Sequence, residues 1–238
     1  MIKLKLFKKK LLSEKDSILG FVKNSILLRK PVNLSMVDSV VLDRVLKEDK
    51  YKQLLNSFDE LLCDSSLIIF LYNLKYKKKN IGYNGAELFK NLVTDNTYNQ
   101  LIIGTTNSSF NQVKKKSLNK NLHYLDIGFQ HNFIDFNFDL IESFVINNNI
   151  QIVWVMLGNP KQDYVSNELK SRNNINCLII SSGATYLFYL EQIKSPKINI
   201  KGLKMFWLYR IIQNPRIQIK RIKNVLKSIP KFITIIEE

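Results

Sequence analysis

Three short apolar segments rich in β-branched residues, at positions 100–103, 150–157 and 175–180, are each followed by a glycine: Gly104, Gly158 and Gly183. Runs of this length without polar alternation fit strands buried on both faces, as in a parallel sheet. Each run leads through a polar turn into a stretch with amphipathic spacing, at 107–116, 162–172 and 186–193. The alternation predicts a Rossmann-like α/β fold, a parallel sheet flanked by helices that takes its ligands at the carboxyl ends of the strands.

The remaining chain is read around that unit. Between positions 39 and 62 Val40, Val41, Val45, Leu54, Leu55, Phe58, Leu61 and Leu62 recur at helical spacing, which predicts one or two helices on the core. Residues 13–23 fit a helix opened by a Ser or Asp cap. Residues 201–236 are helix-compatible, interrupted at Pro215 and Pro230, with Phe206, Trp207, Leu208, Tyr209, Ile211 and Ile212 in one dense cluster. A length of 238 residues suits one substantial core. The expected division is an α/β core over 1–195 and a basic, amphipathic C-terminal appendage over 196–238.

Charge and cysteine usage narrow the setting. The formal charge is +16, and between Glu191 and Glu237 eleven cations accumulate with no acidic residue among them. Such a segment suits a polyanionic partner: nucleic acid, an anionic membrane surface or a phosphorylated substrate. Its aromatic cluster favours the membrane interface among these. Cys63 and Cys177 are far apart, with no disulfide framework or zinc spacing, which fits a reducing compartment. No apolar run reaches the roughly 18 residues of a membrane span, and the first ten residues lack a signal-peptide core, so the chain is expected to be neither exported nor integral to a membrane.

The segment Val153-Trp-Val-Met-Leu-Gly158-Asn159-Pro160-Lys161-Gln162-Asp163-Tyr164 runs a buried strand through a tight turn into a helix start. A glycine permits close backbone approach, and a helix start offers amide donors and a positive dipole end to an anion. Lys161 adds a charge, Gln162 an amide, and Asp163 suits capping the helix. A turn of this composition also serves simply to join strand to helix, so the local chemistry leaves both readings open. Asp64, in Leu62-Cys63-Asp64-Ser65-Ser66-Leu67, is likewise either a positioned carboxylate or a helix cap before an apolar run.

These residues carry a resemblance. Gly158-Asn159-Pro160-Lys161-Gln162-Asp163 is similar to the Gly-x-Pro-Lys-Gln-Glu signature of the WecG/TagA/CpsF family of bacterial glycosyltransferases, with Asp163 in place of the usual Glu. In the same order follow Gly183-Ala-Thr-Tyr186-Leu-Phe, Lys194-Ser-Pro196, Phe206-Trp207-Leu-Tyr-Arg210 and Gln213-Asn-Pro215-Arg216, while Gly85-Ala-Glu-Leu and Leu101-Ile-Ile-Gly104 keep register upstream. The resemblance implies an inverting, metal-independent transfer of an N-acetylmannosamine-type sugar or a hexose from a UDP-sugar to a polyprenyl-diphosphate-linked saccharide in surface-polysaccharide synthesis, at the cytoplasmic face of the cell membrane, with no cofactor beyond the donor. It places the general base at Asp64 and donor contacts at Gly104, Gly158, Asn159, Pro160, Lys161, Gln162, Asp163, Gly183 and Tyr186. It assigns acceptor-diphosphate or membrane contacts to Arg210, Arg216, Arg221 and Trp207. Three positions depart from the family pattern: Ser65 stands for a glycine, Ser39 for an Asn and Gly82 for an Arg.

Other classes are weighed against this reading. No Gly-x-Gly-x-x-Gly follows any of the three strands, which argues against a dinucleotide-dependent dehydrogenase. A nucleic-acid-binding protein would share the basic charge, and a catalytically inactive paralogue would share the fold. Nucleic acid is not the expected partner, since ordered motifs discriminate more sharply than charge. The sequence is silent on oligomeric state.

Overall fold

The computed structural model describes residues 1–193, 199–200, 203–204 and 215–238. The chain opens with a short strand β1 (Lys3–Leu4), helix α1 (Lys15–Leu28) and strand β2 (Val32–Val37). Helices α2 (Ser39–Val45) and α3 (Asp49–Asn56) lead to β3 (Glu60–Cys63), followed by α4 (Ser66–Tyr76) and α5 (Gly85–Val93). Then β4 (Gln100–Ile103), α6 (Asn107–Ser117), β5 (Leu122–Tyr124), α7 (Phe138–Asn147), β6 (Ile152–Val155), α8 (Lys161–Ser171), β7 (Leu178–Ser181) and α9 (Thr185–Tyr189) alternate. The described part of the tail holds β8 (Asn199–Ile200), β9 (Leu203–Lys204), α10 (Pro215–Ile235) and β10 (Ile236–Glu237).

Six strands pair in the order β3-β2-β7-β6-β4-β5, every neighbour parallel. The expected α/β architecture is therefore present, and its three predicted strands are adjacent at the sheet centre. Both faces are covered, as a parallel sheet requires. On one face Ile102, Ile152, Trp154, Leu178 and Ile180 pack beneath α1, α5, α6 and α9. On the other, Leu101, Ile103, Val153, Val155 and Ile179 pack beneath α7 and α8. A third cluster joins Val37, Leu61 and Cys63 to α2, α3, α4 and the end of α10.

Trp154 anchors the middle of the sheet. It is fully buried, meets the Phe89 ring edge-on at 4.9 Å, and its indole N–H donates to Gln100 Oε1 at 2.9 Å. Gln100 in turn donates to the Leu92 carbonyl, tying the last turn of α5 to the start of β4.

The sequence reading needs five corrections. Leu61 and Leu62 belong to strand β3, because a four-residue buried strand shows no period of its own and was absorbed into the preceding helical pattern. Helix α1 begins at Lys15 with Glu14 at its N-cap and no side-chain cap bond; Glu14 instead takes the N-terminal ammonium at 2.9 Å. Helix α9 stops at Tyr189, because Glu191 turns left-handed at φ 59° and the amides of Gln192 and Ile193 fold back to the Leu187 carbonyl. Helix α10 runs through Pro230, where both Pro230 and Leu226 are exposed, so water can serve the carbonyl that proline leaves without a donor. Leu203–Lys204 is strand rather than helix, paired with Asn199–Ile200.

The expected boundary at 195/196 lies outside the described residues. The end of the chain is nonetheless stitched into the body: Phe232 and Ile236 are fully buried, Ser228 Oγ donates to buried Asp43 at 2.5 Å, and β10 pairs antiparallel with β1.

Replacing Trp154 with Phe strands the Gln100 carbonyl oxygen and trims the core. The expected loss is about 2 kcal/mol of unfolding free energy, from one unmade buried hydrogen bond plus lost packing, measured by urea denaturation.

Candidate functional site

Strand connections reverse between β4 and β6. From β4 the chain moves outward through α6 to β5, and from β6 it moves the other way through α8 to β7, with the two helices on opposite faces. A crevice opens at such a switch point, beyond the carboxyl ends of the strands. Gly104 and Gly158 lie on its two sides. Gly104 has φ +79°, and a Cβ there would meet Leu157 Cγ at 2.7 Å, so its glycine is required by backbone and packing alike. A Cβ on Gly158 would meet nothing within 4 Å among the described residues. The packing of the described residues does not require a glycine at 158.

Four buried polar atoms around this crevice have no hydrogen-bond partner among the described residues: Thr105 Oγ1, Gln162 Oε1, Ser182 Oγ and Thr185 Oγ1. They follow β4, β6 and β7, Thr105 and Ser182 in the loops and Gln162 and Thr185 in the first turns of α8 and α9. Each unpaired buried group costs about 1–3 kcal/mol, so a polar partner, ligand or ordered water, is favourable at these four. Three hydroxyls that can donate or accept and one carbonyl acceptor make a suitable lining. Gly183, at φ +56°, completes it: a Cβ there would stand 2.9 Å from Gln162 Oε1.

The other groups expected here are placed as follows. The amides of Gln162 and Asp163 are already engaged by the carbonyls of Gly158 (3.4 Å) and Pro160 (3.0 Å), so the start of α8 offers its dipole more than the free donors anticipated from sequence. Lys161 also differs from expectation: its ammonium donates to the Gln130 carbonyl at 2.6 Å and sits 4.5 Å over the Phe129 ring, binding the loop after β5 to the rim. Tyr186 is half-buried and packs against the core under α5. Arg221 is exposed on α10, Arg216 lies in the first turn of that helix, and Arg210 and Trp207 fall outside the described residues.

Asp163 is a correction to the sequence reading. It caps nothing; Pro160 is the N-cap, and the Asp163 carboxylate is fully buried. It accepts from Ser35 Oγ (2.7 Å), Tyr51 OH (2.6 Å) and Asn159 Nδ2 (2.9 Å), and therefore reaches no ligand itself. Burial pushes its pKa up to about 6, against the pull of these hydrogen bonds. The Tyr51 hydroxyl is driven upward by its own burial and by the adjacent carboxylate. Ser35 and Tyr51 carried no local signal, being 128 and 112 residues from their partner. Thr105 and Ser182 were legible only as small polar residues after apolar strands.

Asp64 stands at the same sheet edge, after β3. Its backbone N–H donates to the Val37 carbonyl at 3.0 Å, and its Oδ1 accepts from the Gly85 amide at 2.8 Å. The capping role belongs to Ser65, whose Oγ accepts from Ile68 N–H at 3.3 Å and lies 2.6 Å from Ser39 Oγ. Of the two sequence readings of Asp64, the cap of α4 is thus removed. Gly85 makes the approach possible, since a Cβ would collide with Met36 Sδ at 2.1 Å. At Gly82 a Cβ would meet Ile69 Cδ1 at 2.0 Å, so Ile69 occupies the space into which a longer side chain would leave the backbone. With neighbouring parallel strands about 4.8 Å apart, Asp64 is three strands and roughly 14 Å from Gly158 along the edge.

This arrangement defines a Rossmann-like α/β protein with a polar ligand crevice at the topological switch and a half-buried carboxylate further along the same edge. Residues 12–237 match the glycosyl transferase WecG/TagA/CpsF family, and the chain belongs to that family: it is a glycosyltransferase. Among curated proteins no sequence matches it.

The Asp163 pKa, raised above the ordinary value of about 3.9, means that the folded state holds this proton to higher pH than the unfolded state. Its contribution to stability therefore falls as pH rises from about 4 to about 6 and is level above that. Thermal unfolding of wild type and Asp163→Asn should show the difference in Tm moving against wild type across this window and constant from pH 7 upward.

Proposed function

We propose that this glycosyltransferase moves a sugar from a UDP-sugar to a polyprenyl-diphosphate-linked saccharide in bacterial surface-polysaccharide synthesis, with inversion and without a metal or further cofactor. The observation that carries the reading is the set of unpartnered polar atoms at the switch crevice, on the same sheet edge as Asp64. An elongated ligand suits that layout: the nucleotide lies over Gly104, Gly158, Gln162, Ser182 and Thr185, and the sugar extends toward β3.

In the transfer, the acceptor hydroxyl attacks the anomeric carbon as the bond to UDP breaks. Asp64 takes the hydroxyl proton, and UDP leaves with the electron pair. Its growing charge is met by the dipole at the start of α8 and by cations of the tail, among them Arg210, Arg216 and Arg221. The Gly85 amide holds Asp64 in place for this work.

The tail serves the acceptor. Ile219, Leu226 and Ile233 are exposed at intervals of seven along α10, beside the exposed cations Arg221, Lys223, Lys227 and Lys231. An apolar stripe flanked by cations suits an anionic bilayer surface, where a polyprenyl diphosphate resides. Among the described residues no helix is long and apolar enough to cross a membrane. The segment 196–238 then acts as a membrane-facing, site-closing element of a peripheral enzyme on the inner face of the membrane.

A second reading, a family member that binds without turnover, is favoured by the filling of the space beside Gly82 by Ile69. One assay separates them: release of UDP from a panel of UDP-sugars with a lipid-diphosphate-GlcNAc acceptor. Acceptor-dependent release that falls roughly 10²–10⁴-fold in Asp64→Asn is the expected result. Release retained in that variant removes Asp64 as the base, and binding of UDP with no release from any donor selects the second reading.

Sedimentation with phosphatidylglycerol vesicles tests the tail. Arg221→Glu with Lys223→Glu should weaken binding by more than about tenfold, at about 1 kcal/mol per basic residue, and raised salt should weaken wild type likewise.

A further inference from the structure

The buried carboxylate of Asp163 has no part in the transfer step, yet it stands directly behind the loop that carries Gly158. Three of its donors come from three places: Ser35 on β2, Tyr51 on α3 and Asn159 in the loop itself. Asn159 Nδ2 bonds both the carboxylate and the Tyr51 hydroxyl. Two of these donors belong to the body of the protein, and the third belongs to the rim of the crevice.

A merely space-filling role would be served as well by an apolar side chain of similar volume, since burying a carboxylate is costly. What a carboxylate adds is direction: a charged acceptor holds each donor at a fixed distance and angle. Ser35 and Tyr51 fix the carboxylate to the sheet and to α3, and the carboxylate fixes Asn159. The neighbouring Gly158 has open space around its Cα and needs such an external anchor to keep its backbone aimed at the crevice.

We propose that Asp163 is a positioning residue of the donor site, which acts through Asn159 to hold the Gly158-Asn159-Pro160 turn in its binding geometry. The proposal rests on the reading of the switch crevice as the donor site for its effect on KM, and on geometry alone for its effect on the loop. Asn159 and Asp163 are four residues apart across the first turn of α8, so the pair works as one unit and both partners are needed.

The test is a double-mutant cycle on the full chain with two readouts. Amide hydrogen exchange of the peptide spanning 156–162 reports the loop without any ligand, and UDP-sugar kinetics report the site. Asp163→Asn and Asn159→Ala should each speed exchange in that peptide and raise donor KM by about tenfold with kcat changed little, the signature of lost ground-state and transition-state binding alike. The double variant should be no worse than either single, because both break one link. Ser35→Ala, which removes one body-side donor and leaves Tyr51 in place, should lower Tm and speed loop exchange less than Asp163→Asn does.

Wild-type exchange at 156–162 in Asp163→Asn, additive effects in the double variant, or exchange accelerated equally across the whole sheet would overturn the proposal. If Asp163→Asn does not fold, Asn159→Ala alone decides: unaltered loop exchange in that variant counts against the link. A wild-type protein with no turnover of any UDP-sugar, but with coupled loop exchange, would remove the donor reading and leave the positioning intact.

Discussion

Everything in this molecule depends on the parallel pairing of β2, β7, β6 and β4. Parallel strands joined by helical crossovers must be covered on both faces, and they deliver all their carboxyl ends to one edge. That single constraint makes Leu101 to Ile103, Ile152 to Val155 and Leu178 to Ile180 apolar at every position, and it makes the loops after them neighbours. Thr105, Gln162 and Ser182 meet for no reason of their own; they meet because β4, β6 and β7 are adjacent in the sheet.

The crevice and the body are coupled through polar contacts that the apolar core cannot supply. Asp163 ties a loop to two elements more than a hundred residues upstream. The Gly85 amide ties Asp64 to the start of α5, which the Asn84–Glu87 capping box orders locally. Ser228 on α10 reaches Asp43 on α2, just beyond the Ser39–Ser65 contact. Helix α10 and the carboxylate edge thus share α2 as a common support.

Charge has a divided role. The excess of lysine and arginine over the tail is largely solvent-facing where described, as at Arg221, Lys223, Lys227 and Lys231, and such charges steer toward anionic partners more than they stabilise a fold. Lys161, by contrast, is spent internally on Gln130 and Phe129. Sequence position alone could not separate these two uses, because a lysine's reach allows either.

The sequence by itself determined the α/β class, the three central strands, the helices after two of them at nearly their true limits, and the glycines that flank the crevice. It did so because fully buried strands, amphipathic periods and glycine turns are written in neighbouring residues. The short strands β3 and β5 were not legible, since runs of four and three residues have no period to distinguish them from a helix turn, and β2, which carries Ser35, has polar Asn33 and Ser35 inside a buried strand. Tertiary structure alone decided that Asp163 is a buried anchor rather than a cap, that Ser65 takes the cap that Asp64 seemed suited to, and that Lys161 binds a loop. In each case the choice between two chemically reasonable partners depends on which distant element stands within hydrogen-bonding distance, and only the completed sheet brings those elements there.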